Sequence, residues 1–494
     1  MQFERGDESW VQGYKTDLIS EKVPSFPTAT GDALLAEALA HNATESYFAR
    51  LNYNYKEKYL FEANVRYDGS YVFRNGKRWG TFPSFSVGWN LYNESFWENI
   101  EPYVNTLKVR ASWGQLGNQN ISPYSDLELI PISADKLNWI FNYGSTRPVG
   151  YTSGPNLVNR NLTWETATTT NVGMDLSFLN NRLSATVDWF ERRTIDMVGP
   201  SQAMPGVLGT GVPKENNSTL RTRGWEISLN WKHALENGLS YNLGISLYDY
   251  KSVVTKYFNP TGTLSTWYEG AEVGDIWGYT VNDLFRSQED LDSYLSKVDM
   301  THIAANWNTG DLKYEDINHD GKVNNGTNTI GNHGDLSVIG NDQPHYQYTI
   351  NGGVSYKGFD FSMLWRGVAK KDMYFYRGSN IYWGFMGGWW ESCLTPEHLD
   401  YFRDQPGSKY SGLYEGDANI NTDAYWPRPY LNNTEEAKNK NHANTRYLQN
   451  AAYLRLQNVQ LGYSFPRSIT SKMHLEKLRI YFSGENLLTF SKMP

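Results

Sequence analysis

Between Trp225 and Leu247 the chain alternates strictly between apolar and polar side chains. Trp225, Ile227, Leu229 and Trp231 interleave with Glu226, Ser228 and Asn230. After Glu236-Asn237-Gly238, Leu239, Tyr241, Leu243, Ile245 and Leu247 interleave with Ser240, Asn242, Gly244 and Ser246. Successive side chains of a strand point to opposite faces, so this pattern predicts a hairpin with one apolar and one polar face. The Asn237-Gly238 pair supplies the left-handed dihedrals of a tight turn. The same unit recurs at Tyr47–Tyr55, Tyr59–Tyr67, Phe85–Leu91, Leu107–Trp113, Val172–Phe178, Leu183–Trp189, Tyr346–Tyr356, Phe359–Trp365, Val459–Phe465 and Leu478–Phe482. About twelve strands are predicted, with boundaries good to a few residues. Residues 1–43 read as loop or an incomplete upstream barrel segment, with one short helix expected over Asp32–His41.

The connections are lopsided. Those spanning 118–163, 196–218, 253–342 and 370–445 are long, and most of those between them are tight turns. In an up-and-down barrel, consecutive connections lie at opposite ends. Tight turns then collect at one end and long loops at the other, as in outer-membrane barrels. The expected fold is therefore all-β, an antiparallel transmembrane β-barrel over residues 44–494. A soluble sandwich has no reason to sort its loops in this way.

Composition changes the picture in four places. No run approaches the ~20 apolar residues of a membrane helix, but alternation hides a barrel's apolar face from hydropathy averages. Of the aromatics, the 18 Trp and 35 Tyr fall largely on strands and their ends, which suits a bilayer interface. A net charge of -8 gives a nucleic-acid partner no electrostatic support. Cys393 is the only cysteine, which excludes a disulfide framework or a multi-cysteine metal site.

Five segments, Phe61–Ser70, Phe82–Trp89, Leu107–Asn118, Tyr453–Tyr463 and Gly484–Phe490, occur in an order that resembles SusC/RagA-type TonB-dependent outer-membrane transporters of Bacteroidetes. The resemblance runs from about residue 45 to the last residue and covers the C-terminal part of such a barrel. It implies a barrel of about 22 strands filled by a plug, of which this chain carries a portion without plug or final strand. It also implies TonB as the energy coupler, a SusD-like surface lipoprotein as lid, and import of oligosaccharides or oligopeptides. The competing expectation is a secreted all-β glycan-binding or glycan-degrading protein with a calcium-stabilised loop.

Two constellations could carry chemistry. Asp316, Asn318 and Asp320, then Gly321, the Lys322 carbonyl and Asn324, follow the first half of an EF-hand-type calcium loop. The twelfth position is Thr327 rather than Glu; comparable loops of the resembling family point to Asp335 as the residue that closes the shell. An Asx-rich turn without metal is the alternative. In the 370–445 connection, Trp383, Trp389, Trp390 and Trp426 are candidate platforms for stacking sugar rings, or else anchors of the loop's own core. Glu435 and Glu436 belong to a charged run ending Lys438-Asn439-Lys440 that reads as solvated. Nine scattered His show no zinc-type spacing, so an enzyme is not expected.

Overall fold

A computed structural model describes all residues except 16–32, 120, 123–124, 126, 129–138, 142–148, 152–156, 203–210, 376–379, 387–393, 406–419, 431–432 and 494. Thirteen strands form one sheet in chain order. They are β1 (Gln2–Lys15), β2 (Ala33–Tyr55), β3 (Tyr59–Ser70), β4 (Trp79–Asn90), β5 (Val104–Asn118), β6 (Glu165–Phe178) and β7 (Leu183–Pro200). They continue as β8 (Lys214–Ala234), β9 (Ser240–Lys256), β10 (His345–Tyr356), β11 (Phe359–Lys370), β12 (Tyr453–Ser464) and β13 (Arg479–Ser491). The twelve strands read from alternation correspond to β2–β13.

The opening segment differs from expectation. Residues 33–41, expected to form a helix, are the first part of β2, which pairs with β1 from Gln2↔Ser46 to Lys15↔Ala33. A short apolar run does not distinguish helix from strand by period, and here pairing with β1 decides.

The chain divides into two compact units. The first contains residues 1–94, 109–172 and 191–220. Its strands β1 to β4 form an antiparallel meander. Tyr55↔Tyr59 is the last pair before the β2–β3 turn, where Lys56 and Glu57 take φ of +52° and +56°. Those paired left-handed residues match the twist of the two strands they join.

The second unit contains residues 95–108, 173–190 and 221–494. Strands β9 to β13 pair antiparallel in sequence order. Two long connections, between β9 and β10 and between β11 and β12, share a packed core. Leu284, Phe285, Leu312, Tyr314, Val323, Trp383 and Tyr447 are all fully buried there. Small two-stranded sheets brace it: Asp275–Tyr279 with Leu336–Asn341, and Val281–Leu284 with Leu312–Tyr314. The helices α1 (Gln288–Leu295) and α2 (Asn433–Lys440) belong to the same loop domain.

Among the described residues nothing covers the apolar strand face. Ile227, Leu229, Leu243 and Ile245 are 36%, 42%, 43% and 41% exposed. A sandwich would bury this row under a second sheet, but every other sheet among the described residues has two strands. The soluble all-β alternative fails on that point. Burying such a row is worth about 25 cal/mol per Å², and a bilayer is the medium that buries a face no protein covers.

Candidate functional site

The loop domain turns on one buried ion pair. Lys438 on α2 and Asp311, just before the Leu312–Tyr314 strand, are both fully buried, with Nζ 2.8 Å from Oδ2. The other Asp311 oxygen accepts from Tyr430 Oη at 2.8 Å and Asn439 Nδ2 at 2.9 Å. Lys438 Nζ also donates to the Asn306 carbonyl at 2.9 Å and to Glu435 at 3.1 Å. Asn439 Oδ1 takes the Leu312 amide at 3.0 Å, so α2 is stitched to the first loop by side chains on both sides of the pair. Burial raises the Asp311 pKa, and the adjacent Lys438 ammonium opposes that shift. The run Lys438-Asn439-Lys440 is thus interior, not solvated as expected. The Lys438 charge is concealed by pairing with Asp311 more than a hundred residues away, which no local charge count detects.

The aromatic candidates divide. Trp383 is 0% exposed and donates its Nε1–H to the Phe375 carbonyl at 2.7 Å. Trp426 is 5% exposed and donates to the Glu397 carbonyl at 3.1 Å. The two rings lie 5.8 Å apart, with Tyr382 and Tyr447 packed against both. Sugar stacking needs an open ring face, and these two have none; they are anchors of the loop core. Trp389 and Trp390 lie outside the described residues. His398 joins the same core, its Nε2 2.8 Å from the Tyr382 carbonyl and its Nδ1 accepting the Thr395 amide at 3.0 Å. Those contacts set the neutral tautomer with the proton on Nε2. Burial lowers the His442 pKa, and the neighbouring His302 adds to that shift.

The acidic loop folds as its sequence suggests at the start. Asp316 accepts the amides of Asp320 at 3.2 Å and Gly321 at 2.9 Å. Asn318 accepts Asp320 at 3.0 Å, and Asp320 accepts Lys322 at 2.9 Å. Gly321 sits at φ +82°, a conformation that favours glycine. Asp335 is fully buried and reaches back to the loop start, accepting Ile317 at 2.9 Å and, through its other oxygen, Asn324 at 2.8 Å. The donor types and their order fit a hard cation. Their present spacing does not converge: among the described residues, no three His, Cys, Asp or Glu side chains are gathered to hold a metal.

The polar strand face carries paired neutral groups. Ser228 and Ser246 hydroxyls lie 2.9 Å apart, Ser240 and Ser355 2.6 Å, and Thr222 and Ser252 2.7 Å. Gly244 sits where a Cβ would collide with the side-chain oxygens of Asn230 and Asn351, so its bare backbone lets the two amides approach. In the first unit, Arg50 and Glu62 form an exposed pair at 2.6 Å.

This chain matches the "TonB dependent receptor-like, beta-barrel" family from residue 5 to residue 487. It belongs to that family. The TonB-dependent receptor barrel implied by the strand motifs holds, and a relative bearing the SusC name is similar to this chain. TonB-dependent receptor SusC of Bacteroides thetaiotaomicron is 27% identical over 458 residues, covering 89% of this chain and 40% of SusC. TonB-dependent receptor P3 of Formosa agariphila is 25% identical over 492 residues, 95% of this chain and 44% of P3. The chain therefore spans less than half the length of these relatives. A structure of the RagAB peptide importer in its open-open state superposes with a TM-score of 0.73 at 20% identity. It covers 99% of this chain and 48% of that one, and at this identity it speaks to fold alone.

Membership fixes the surroundings of the receptor barrel's two strand faces. It is an outer-membrane barrel, and its family is one of receptors and transporters, not enzymes. The uncovered row of Ile227, Leu229, Leu243 and Ile245 meets lipid, and the hydroxyl and amide face turns to the lumen. Asn230, one of the polar positions of the alternating pattern, falls on this face, packed at Gly244. Alternation found the faces; it had no means of finding Lys438 and Asp311.

Proposed function

We propose that this chain is the barrel section of a TonB-dependent importer of oligomeric nutrients, oligosaccharide or oligopeptide, working with a SusD-like surface lipoprotein. The observation that carries the proposal is the combination of a lipid-facing apolar row with a hydroxyl- and amide-rich opposite face. Neutral hydrogen-bonding groups interspersed with paired charges such as Arg50–Glu62 suit a hydrated, uncharged or mixed-charge oligomer better than a small ion. RagAB is described as a peptide importer. With Trp383 and Trp426 inside the loop core, the aromatic argument for glycans loses its main support, and both oligomer classes stay in the proposal. The test is uptake by cells lacking the gene, offered oligosaccharide or oligopeptide pools. The expected result is loss of import of one pool, restored by the gene and abolished by a protonophore. Import that survives both treatments overturns the proposal.

Calcium enters as a device of order in the 316–335 loop. A carboxylate oxygen that accepts one amide keeps a second lone pair. Asp316, Asn318, Asp320, Asn324 and the Lys322 carbonyl would hold the ion, with Asp335 closing the shell. The expected outcome is slower amide exchange across residues 312–341 on adding millimolar calcium, reversed by a chelator. Asp320→Asn should weaken the response about tenfold, since ligand charge tunes such sites. Exchange indifferent to calcium would reduce the loop to an Asx-rich turn.

A further inference from the structure

The lipid-facing surface of the first unit is not uniform. Beside the β2–β3 turn it sinks into an apolar groove of about 390 Å³ that touches β2, β3, β4 and β5. Short side chains at Val87, Val109 and Ala111 line it beside the larger rings of Phe61 and Trp89, with Tyr53 next to Phe61 on the adjoining strand. Tyr59 and Trp89 continue the groove towards the turn, their rings 6.3 Å apart, with Tyr55 stacked beyond at 6.4 Å. Both polar tips there are tied to one carboxylate: Tyr59 Oη donates to Glu94 at 2.8 Å and Trp89 Nε1 at 3.1 Å. Lys58 neutralises it at 2.9 Å.

That arrangement locks the rings in place and uses up Glu94 and Lys58. Two charges remain at the turn, Lys56 and Glu57, both exposed, and neither has an ion-pair partner among the described residues. Lys56 lies over the Tyr55 ring, with Nζ 5.4 Å from its centroid. The turn is one of the short connections, which in outer-membrane barrels face the periplasm, so the groove opens on the inner, phospholipid leaflet.

We propose that this groove is a binding site for a single zwitterionic phospholipid of the amine-bearing type. One acyl chain lies along Val87, Val109 and Ala111 beside the rings. The phosphate pairs with Lys56 and the ammonium with Glu57. The adjacent opposite charges match the two charges of such a head, and the groove's apolar lining matches a single methylene chain. The proposal rests on the outer-membrane placement of the barrel.

The test is native mass spectrometry of the protein purified from outer membranes in mild detergent, then supplied with phosphatidylethanolamine or phosphatidylglycerol. The expected result is one retained phosphatidylethanolamine per barrel, in preference to phosphatidylglycerol. Val87→Trp, which fills the groove, should reduce retention about tenfold; Ala111→Phe is a second filling variant should the first misfold. Lys56→Glu should remove the preference for head group while leaving some retention. Heat-modifiable gel migration of each variant reports the barrel separately, so a failed lipid site is distinguishable from a failed membrane reading. Equal retention by the filled variants, equal retention of both lipids by the parent, or a doubled mass pointing to a second copy on this face overturns the proposal.

Discussion

Replacing Lys438 with methionine should unfold the loop domain while leaving the strands in place. The side chain is fully buried and its ammonium holds Asp311, the Asn306 carbonyl and Glu435 together. Removing one partner of a buried pair strands the other charge, at about 3–5 kcal/mol. Asp311 makes the penalty severe. Its pKa is raised by burial, and a carboxyl raised on folding favours the folded state at low pH and loses that contribution as pH climbs through its folded value. At neutral pH it is therefore the lysine that makes the aspartate's charge tolerable. Hydrogen exchange should accelerate over residues 281–314 and 433–447 and stay slow in β10 and β11. The double variant Lys438→Met/Asp311→Leu should recover much of the loss, because no fully buried unpaired charge remains and the partly exposed Glu435 reaches solvent. If Lys438→Met leaves exchange in the loops unchanged, the pair does not hold them.

Much of the barrel was legible because a strand's period is two and lipid enforces it. Every residue of the row Ile227, Leu229, Leu243 and Ile245 appears on the face that alternation assigned, since a one-residue slip would put Glu226 and Asn242 into lipid. β1 is not legible from alternation because its polar sequence, Gln2–Lys15, carries none, and residues 33–41 form a strand rather than the expected helix because a short apolar run suits either period. The loop domain was illegible for a different reason. Its organisation comes from pairs such as Asp311–Lys438 and Leu312–Asn439, separated by more than 120 residues, and each residue taken alone looks like surface. The turn at Asp316–Gly321 was readable because its contacts are local. The contact of Asp335 with Ile317 spans 18 residues and no local spacing points to it.

Trp383→Ala should then cost the loop domain about 3–5 kcal/mol, the usual range for truncating a buried large aromatic. The ring touches Tyr382, Trp426 and Tyr447 at centroid distances of 5.2, 5.8 and 5.2 Å, and its removal leaves a void no neighbour can fill without leaving its own contacts. Trp383→Phe separates packing from hydrogen bonding. It keeps a ring but leaves the Phe375 carbonyl without its donor, at about 1–3 kcal/mol. Leu399→Ala, at a half-exposed position in the same loop, should change stability by less than about 0.5 kcal/mol. Urea-dependent exchange in the loops would rank the three. A sugar platform would give the opposite pattern: Trp383→Ala would weaken ligand binding while loop stability stayed near that of the parent. The buried indole and its bond to a backbone carbonyl favour the first ranking, in which the tryptophan shapes the extracellular domain and any contact with cargo falls to residues on its surface.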